Sequence, residues 1–401
     1  MSDGPLKGLR VFDLTRVLAG PFCTALLADL GAEVIKLEPP AGDEYRHIGF
    51  KKNGESAIFQ LVNRGKKSIV VDLKTAAGQS LAKEIALSCD VVVENFRPGV
   101  AAKLGLGHEA LRALKSSLVY ASISGFGQNG PWSAKPAYDL VAQALSGLMA
   151  VNGEEGGSPL KVGESIGDLS AGLFASWGIL AGLLKSKISG EGSMIDVGMH
   201  DSLFALLPTA HAQFLYAGVE PKRVGNRHPM STPFGCFKAQ DGMFALAVLN
   251  DKHFQSLATL MRQPELGQDP RFANDAIRTT NEPALRHCIE SWSEKQKVAE
   301  VIDQLEMSGI PAAPIAGFKD AAESEQAVAR SFVSTLPHQT LGNVSVVGQP
   351  VYFGSTKPIA KSAAPVLGQH TAQILEALGY DAQKISDLRT AHVISGGEDD
   401  I

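Results

Sequence analysis

Short apolar runs alternate with helix-like segments over the first 200 residues of the chain. Continuous apolar runs, which are typical of strands covered on both faces, occur at 9–14, 33–37, 68–72, 90–94 and 118–123. Segments with helical periodicity follow several of these runs, at 22–30, 77–88 and 173–184. This alternation predicts a doubly wound α/β domain with a parallel sheet and right-handed crossovers.

The pattern changes between residues 225 and 316, where the segments are shorter and turn signals are more frequent. Asp241-Gly242 and Pro264 mark turns, and helical patterns follow at 282–290 and 297–307. The proline-rich segment 310–314 has the composition of a linker. We therefore predict a smaller α+β lobe over 225–316.

Composition narrows the class of protein. Of the 401 residues, 44% are hydrophobic and 20% are charged, as in soluble globular proteins. The net charge of -5 gives no reason to expect a nucleic-acid partner. The four cysteines are scattered without a CxxC pair, which argues against a zinc site or a disulfide framework and fits a reducing cytosol. The sequence shows neither a signal peptide nor an apolar run of about 18 residues, so we expect a cytoplasmic protein with no membrane partner.

The segment Gly125-Phe126-Gly127-Gln128-Asn129-Gly130 matches the GxGxxG pattern of dinucleotide-binding loops. Such loops also require a helix that opens at the glycines and an acidic residue about 20 positions later. Here Pro131 follows at once and Asp139 comes too early. The segment is better interpreted as a loop against which another part of the chain packs closely, and a nicotinamide cofactor is disfavoured.

Asp168 lies between glycines and small residues, just before the apolar run 173–184. One interpretation is a helix N-cap, which satisfies free backbone N–H groups. The other is a carboxylate nucleophile, which the helix dipole would keep ionised and to which the glycines would give a bulky acyl group access. The local sequence does not decide between the two.

Basic side chains cluster in the loops of the predicted α/β domain. Several lie near the carboxyl ends of predicted strands, where open α/β sheets bind ligands, so the group either holds a phosphorylated ligand or is a solvated surface. The cluster comprises Arg46, Arg64, Lys66, Lys67, Lys74, Arg97 and Lys103. His200 and His211 lack the i, i+4 spacing of a helical metal site, and we predict no bound metal.

Several short motifs occur together in order along the chain. They are Ala19-Gly20-Pro21, the segment 26–38, Asn63-Arg64-Gly65-Lys66-Lys67-Ser68, Asp72-Leu73-Lys74, Glu94-Asn95-Phe96-Arg97-Pro98-Gly99, Ser124-Gly125-Phe126-Gly127 and Gly167-Asp168. In these motifs the chain resembles the class III CoA-transferases. That family includes formyl-CoA:oxalate and carnitine CoA-transferases, and alpha-methylacyl-CoA racemases share its fold.

The resemblance implies a large Rossmann-like domain built from both ends of the chain, 1–224 and 317–401, with the small α+β domain 225–316 inserted between them. It further implies an interlocked homodimer, Asp168 as the nucleophile, and CoA as a substrate with no tightly bound cofactor. The positions that match the family's CoA contacts are Leu18, Val71, Asp72, Leu73, Lys74, Asn95, Phe96, Arg97, Lys103 and Tyr138.

The mechanism implied by the resemblance transfers CoA from an acyl-CoA donor to a carboxylate acceptor through an aspartyl-CoA thioester. Leu18 replaces a glutamine of the formyl-CoA transferases, and 225–236 lacks their run of glycines, so oxalate is not the expected acceptor. Racemases of this fold have a histidine base where this chain has Tyr138, and tyrosine, with a pKa of about 10, is a poor base at neutral pH. Epimerisation and CoA binding without turnover remain the alternative functions.

For substrates, we expect succinyl-CoA as the donor and a short dicarboxylate, such as glutarate, itaconate or malate, as the acceptor. The basis is a set of cationic residues able to meet a distal carboxylate, namely Arg16, Arg46, Arg227 and His228. These side chains could equally be surface groups or contacts to CoA.

Overall fold

The computed structural model describes residues 4–396, which divide into two compact units. The first unit combines 4–148, Lys161–Ala212 and 325–396, and the second combines Met149–Leu160 with Gln213–Ser324. The lobe predicted over 225–316 lies inside the second unit, which extends it at both ends and adds the separate segment Met149–Leu160.

Strands and α-helices follow one another along both units. The strands are β1 (Arg10–Asp13), β2 (Glu33–Glu38), β3 (Lys51–Lys52), β4 (Glu55–Ser56), β5 (Lys66–Val71), β6 (Val91–Glu94), β7 (Val119–Ser124), β8 (Met194–Gly198), β9 (Phe234–Lys238), β10 (Met243–Ala247), β11 (Ala312–Pro314), β12 (Val333–His338), β13 (Gly342–Val347) and β14 (Ile394–Ser395). The α-helices are α1 (Ala19–Asp29), α2 (Ala57–Val62), α3 (Ala76–Ser88), α4 (Val100–Lys103), α5 (His108–Arg112), α6 (Asp139–Leu145), α7 (Leu148–Val151), α8 (Ile166–Ser189), α9 (Met199–Ala205), α10 (Pro208–His211), α11 (Asp251–Leu260), α12 (Asp275–Thr280), α13 (Glu282–Ser293), α14 (Val298–Met307), α15 (Phe318–Glu323), α16 (Glu325–Ala329), α17 (Thr371–Ala377) and α18 (Ala382–Thr390).

The first unit is built on a seven-stranded sheet in the order β14-β5-β2-β1-β6-β7-β8. All of its strand pairs are parallel except β14 with β5, where the end of the chain adds an antiparallel edge. Alternate residues of a strand lie on opposite faces of the sheet. Val11 packs with Leu27 of α1 on one face, whereas Phe12 packs with Ile85 of α3 in a second core on the other face. Because both faces are covered, the strands are continuously apolar, and the predicted α/β fold with a large parallel sheet is confirmed.

Helix α8 begins earlier than the apolar run 173–184 and covers 24 residues. Its first turns are rich in glycine and serine, which are weak helix formers, but their small size allows close packing on α1. A Cβ atom at Gly172, for example, would lie 2.6 Å from the carbonyl oxygen of Ala19. Contrary to the sequence-based expectation, α8 is long and apolar enough to cross a membrane, although half of its most apolar window is buried inside the protein.

The second unit contains the three-stranded antiparallel sheet β11-β10-β9. Helices α11, α13 and α14 cover this sheet, and Phe254, Leu285 and Val301 share an apolar core with Phe244 of β10. This unit therefore has its own core of sheet and helices.

Candidate active site

Asp168 lies in the first turn of α8, half-buried, on the wall of a cavity of about 170 Å³. A cavity of that volume accommodates a short acyl group. Asp168 is not the N-cap, because Ser165 occupies that position and the backbone N–H of Gly167 donates instead to Oδ1 of Asp139 at 2.7 Å. The N-cap interpretation is therefore excluded, and Asp168 is one of the residues that line the cavity.

The pKa of Asp168 is raised to about 7 by burial and, to a smaller extent, by the negative charge of Asp139. A hydrogen bond from the backbone N–H of Ala19 acts in the opposite direction. The sequence predicted that the helix dipole would keep Asp168 ionised, but desolvation and a like charge outweigh that field. Asp168 is consequently close to half-ionised at neutral pH.

Tyr45 is a residue whose pKa depends on Asp168, and the sequence did not indicate it. Burial and the charge of Asp168, with smaller effects from other carboxylates, raise the pKa of Tyr45 to about 12. The phenol therefore stays protonated at neutral pH and is available as a hydrogen-bond donor.

The loops that follow β1, β6 and β7 form much of the cavity wall, at the carboxyl edge of the sheet where α/β proteins bind ligands. Asn95 joins two of these loops: its side chain accepts a hydrogen bond from the Arg16 N–H at 2.9 Å and donates to the Arg16 carbonyl at 2.7 Å. Five of the predicted CoA contacts line this cavity, namely Leu18, Asn95, Phe96, Arg97 and Tyr138.

A larger cavity of about 690 Å³ lies at the carboxyl ends of β1, β2 and β5. The predicted CoA contacts Val71, Asp72, Leu73 and Lys74 line it, and Lys103 directly precedes another lining residue, Leu104. Arg16, Glu44 and Phe96 line both cavities. Nine of the ten predicted CoA positions, all but Lys103, thus line two adjoining cavities. The larger cavity has the size of a cofactor site.

Arg46, which was predicted to bind the substrate, is buried and forms an ion pair inside the protein. Its guanidinium donates to both carboxylate oxygens of Glu38 at 2.7 and 2.8 Å and stacks on the ring of Phe59 at 3.8 Å. Arg46 lines neither cavity. The geometry therefore corrects the expected substrate role to a structural one.

Two further cations of the predicted ligand-binding cluster are also internal. Arg64 pairs with Asp29, and Lys66 pairs with Asp13 at 2.9 Å, with all four side chains buried. Their partners lie far away in the sequence, so the motif alone gave no sign that these charges are compensated. Other cations of the first unit remain available to bind a ligand, among them Lys74, Arg97 and Arg16. Arg16 forms an exposed ion pair with Glu44 at 2.9 Å.

The other two predicted substrate residues lie in the second unit. Arg227 forms an ion pair with Glu155 at 2.9 Å, and the ring of His228 packs against Phe234. Their roles in binding an acceptor carboxylate stay predictions.

The glycine-rich loop after β7 folds back on itself. A Cβ atom at Gly125 would lie 2.3 Å from Cβ of Ala137, and no helix begins until Asp139, which agrees with a close-packed loop rather than a dinucleotide site. The loop brings Lys135 to the Asp168 cavity, with its Nζ atom 4.5 Å from the centre of the Trp132 ring. Within residues 4–396 Lys135 has no carboxylate partner, and the sequence analysis did not single it out.

Comparisons with known proteins agree on one family. The sequence model of CoA-transferase family III matches residues 6–371 of this chain. The chain is 40% identical to a succinyl-CoA:glutarate CoA-transferase of Mus musculus, over 98% of this chain and 91% of the relative. It is also 40% identical to an acetyl-CoA:oxalate CoA-transferase of Acetobacter aceti, over 92% and 95%. A solved CaiB/BaiF family protein from Brucella suis has a TM-score of 0.82 at 35% identity, covering 94% of this chain and 100% of that one.

Proposed function

Because the chain belongs to CoA-transferase family III, we propose that it moves CoA from succinyl-CoA to a short dicarboxylate, with Asp168 as the nucleophile. The observation that carries this proposal is a half-buried carboxyl group on the wall of a cavity of acyl-group size. The names of both relatives support a dicarboxylate acceptor, glutarate in one and oxalate in the other. Oxalate, disfavoured from the sequence, therefore belongs among the acceptors to be tested.

In the proposed reaction a carboxylate oxygen of Asp168 attacks the acyl carbonyl carbon, the C–S bond breaks, and the CoA thiolate leaves with the bonding electrons. The product is a mixed anhydride. The thiolate then attacks the aspartyl carbonyl, which releases succinate and forms an aspartyl-CoA thioester. The acceptor carboxylate then attacks this thioester, which forms a second mixed anhydride and releases the CoA thiolate. The thiolate attacks the acceptor carbonyl of that anhydride, which yields acceptor-CoA and free Asp168.

Each attack places negative charge on a carbonyl oxygen beside Asp168. The backbone N–H of Ala19, whose hydrogen bond lowers the pKa of Asp168, is a donor available beside that carboxyl group. Donors fixed in this way stabilise developing charge without reorganisation. The larger cavity offers Lys74 and the backbone around Asp72 to hold the CoA moiety.

We expect the rate of transfer to rise with pH through about 7, because only the ionised form of Asp168 attacks. Asp139→Asn should move this acidic limb to lower pH, since it removes a neighbouring negative charge and keeps an oxygen that can accept from Gly167. Profiles of kcat/KM against pH for the two proteins measure the shift. Asp320→Asn, at an exposed position of α15, is the control, and a limb that stays in place in Asp139→Asn would rule out the proposed coupling.

An acceptor series tests the function itself. Succinyl-CoA is incubated with oxalate, malate, itaconate and glutarate, and with monocarboxylates of matched length, and the new acyl-CoA is measured. We expect transfer to a dicarboxylate, with Lys135→Met raising its KM about tenfold because the unpaired cation that lines the cavity is lost. Lys187→Met, in the last turn of α8, removes the same charge elsewhere. Equal turnover of monocarboxylates, or an equal KM in both variants, would contradict this specificity.

We also propose that the chain acts as an interlocked homodimer in the cytoplasm, as the family resemblance implies. Exposed apolar side chains line one stripe of α8, namely Leu173, Trp177, Leu184 and Ile188. Their spacing places them along the same side of the helix, and exposed apolar stripes of this kind are typical of protein interfaces. Sedimentation should give twice the mass of the chain, whereas a monomer at micromolar concentration would exclude the dimer.

A further inference from the structure

Ser124, the last residue of β7, has a buried hydroxyl group without a partner. The residue is 9% exposed, and its Oγ makes no hydrogen bond within the part of the chain that the structure describes. Ser122, two residues earlier in the same strand, is also buried but donates to Oε1 of Glu94. Because buried hydroxyl groups are nearly always hydrogen-bonded in folded proteins, the free Oγ of Ser124 requires an explanation.

The position of Ser124 supplies one. Ser124 and Asp168 line the same cavity, whose volume is about 170 Å³. An acyl group placed for attack by Asp168 therefore occupies a cavity that the strand end carrying Ser124 also lines.

The chemistry of such a ligand decides the direction of the hydrogen bond. The acyl group of a thioester presents oxygen atoms that accept hydrogen bonds and none that donate, whereas a serine hydroxyl can do either. We infer that Ser124 is a substrate-binding residue whose hydroxyl donates to the carbonyl oxygen of the acyl group bound beside Asp168. This inference rests on the proposed CoA transfer, and it assigns to Ser124 a contact that forms only when substrate is bound.

The substitution Ser124→Ala tests the inference, because a structural hydroxyl and a substrate-binding one give opposite results. Removal of a buried, unpartnered hydroxyl should leave the Tm of the free protein unchanged or higher. Ser122→Ala, which strips Glu94 of a donor, should lower the Tm. In steady-state assays, Ser124→Ala should lower kcat/KM for succinyl-CoA by at least about tenfold, and Ser124→Thr, which keeps the hydroxyl, should lose less.

A binding measurement separates failure of this inference from failure of the proposed function. Succinyl-CoA and free CoA are each added to Asp168→Asn and to the double variant Asp168→Asn/Ser124→Ala, neither of which is expected to turn over. Succinyl-CoA should raise the Tm of the double variant less than it raises the Tm of Asp168→Asn. Free CoA should raise the Tm of both proteins equally. Equal shifts with succinyl-CoA, a reduced shift with CoA alone, or a fall in the Tm of free Ser124→Ala would each overturn the role of Ser124. Absence of transfer by the unaltered protein would instead reject the CoA-transferase activity.

Discussion

Asp168→Asn is expected to lower kcat for CoA transfer by more than about 1,000-fold while succinyl-CoA still binds. The amide is a very weak nucleophile and cannot form the anhydride with the acyl group. It matches the carboxyl group in shape, and Asp168 is already close to half-protonated at neutral pH, so the fold should tolerate the change. Assays of product acyl-CoA, with the rise in Tm on adding succinyl-CoA, measure the two effects separately.

Glu164→Gln provides the matched control for this substitution. Glu164 is an exposed acid four residues before Asp168, and it lies outside both cavities. Its replacement should leave kcat within a few-fold of that of the unaltered protein. Retention of a tenth or more of the activity by Asp168→Asn would mean that another group, or the acceptor itself, attacks the thioester.

Lys66→Met is expected to lower the free energy of unfolding by about 3–5 kcal/mol, because it removes the directly paired cation from the buried carboxylate of Asp13. The side chains of Lys66 and Asp13 have an exposure of 0% and lie 2.9 Å apart. Burial would raise the pKa of Asp13, but the charges of Lys66 and Lys36 hold it below its usual range. Lys66 also donates to the carbonyl of Pro21 at 3.0 Å, so the loss should extend to the start of α1.

The neighbouring lysine is a suitable control for that experiment. Lys67 forms a partly exposed pair with Glu33 at 3.6 Å, and exposed pairs of this kind contribute about 0–1 kcal/mol. Urea unfolding of Lys66→Met and Lys67→Met should therefore give clearly different losses. Equal losses would show that Asp13 is accommodated without Lys66, for instance by taking up a proton.

The sheet could be predicted from the sequence because its strands are short and continuously apolar. Val91, Val92 and Val93, for example, lie in a strand covered on both faces. The start of α8 could not be predicted, since Gly167 and Gly172 are weak helix formers. In the fold, Gly172 packs closely on α1 and Gly167 packs closely on α6. Local propensity was overridden there by packing.

Within the site, the candidate nucleophile followed from a motif, but its electrostatics did not. The pKa of Asp168 depends on burial and on Asp139, which belongs to a different helix. In the same way, Arg64 and Lys66 were expected to face a ligand because their partners, Asp29 and Asp13, become neighbours only in the folded chain. Charge compensation across distant segments leaves no local signal in the sequence.

Peptide mass spectrometry tests the covalent role of Asp168 most directly. The protein is incubated with succinyl-CoA, quenched in acid and digested, and the peptide that contains Asp168 is examined for added mass. We predict a CoA adduct on this peptide, absent from Asp168→Asn and discharged when an acceptor such as glutarate is added before the quench. Binding of succinyl-CoA with measurable transfer, but with no adduct on that peptide, would contradict the aspartyl-CoA mechanism.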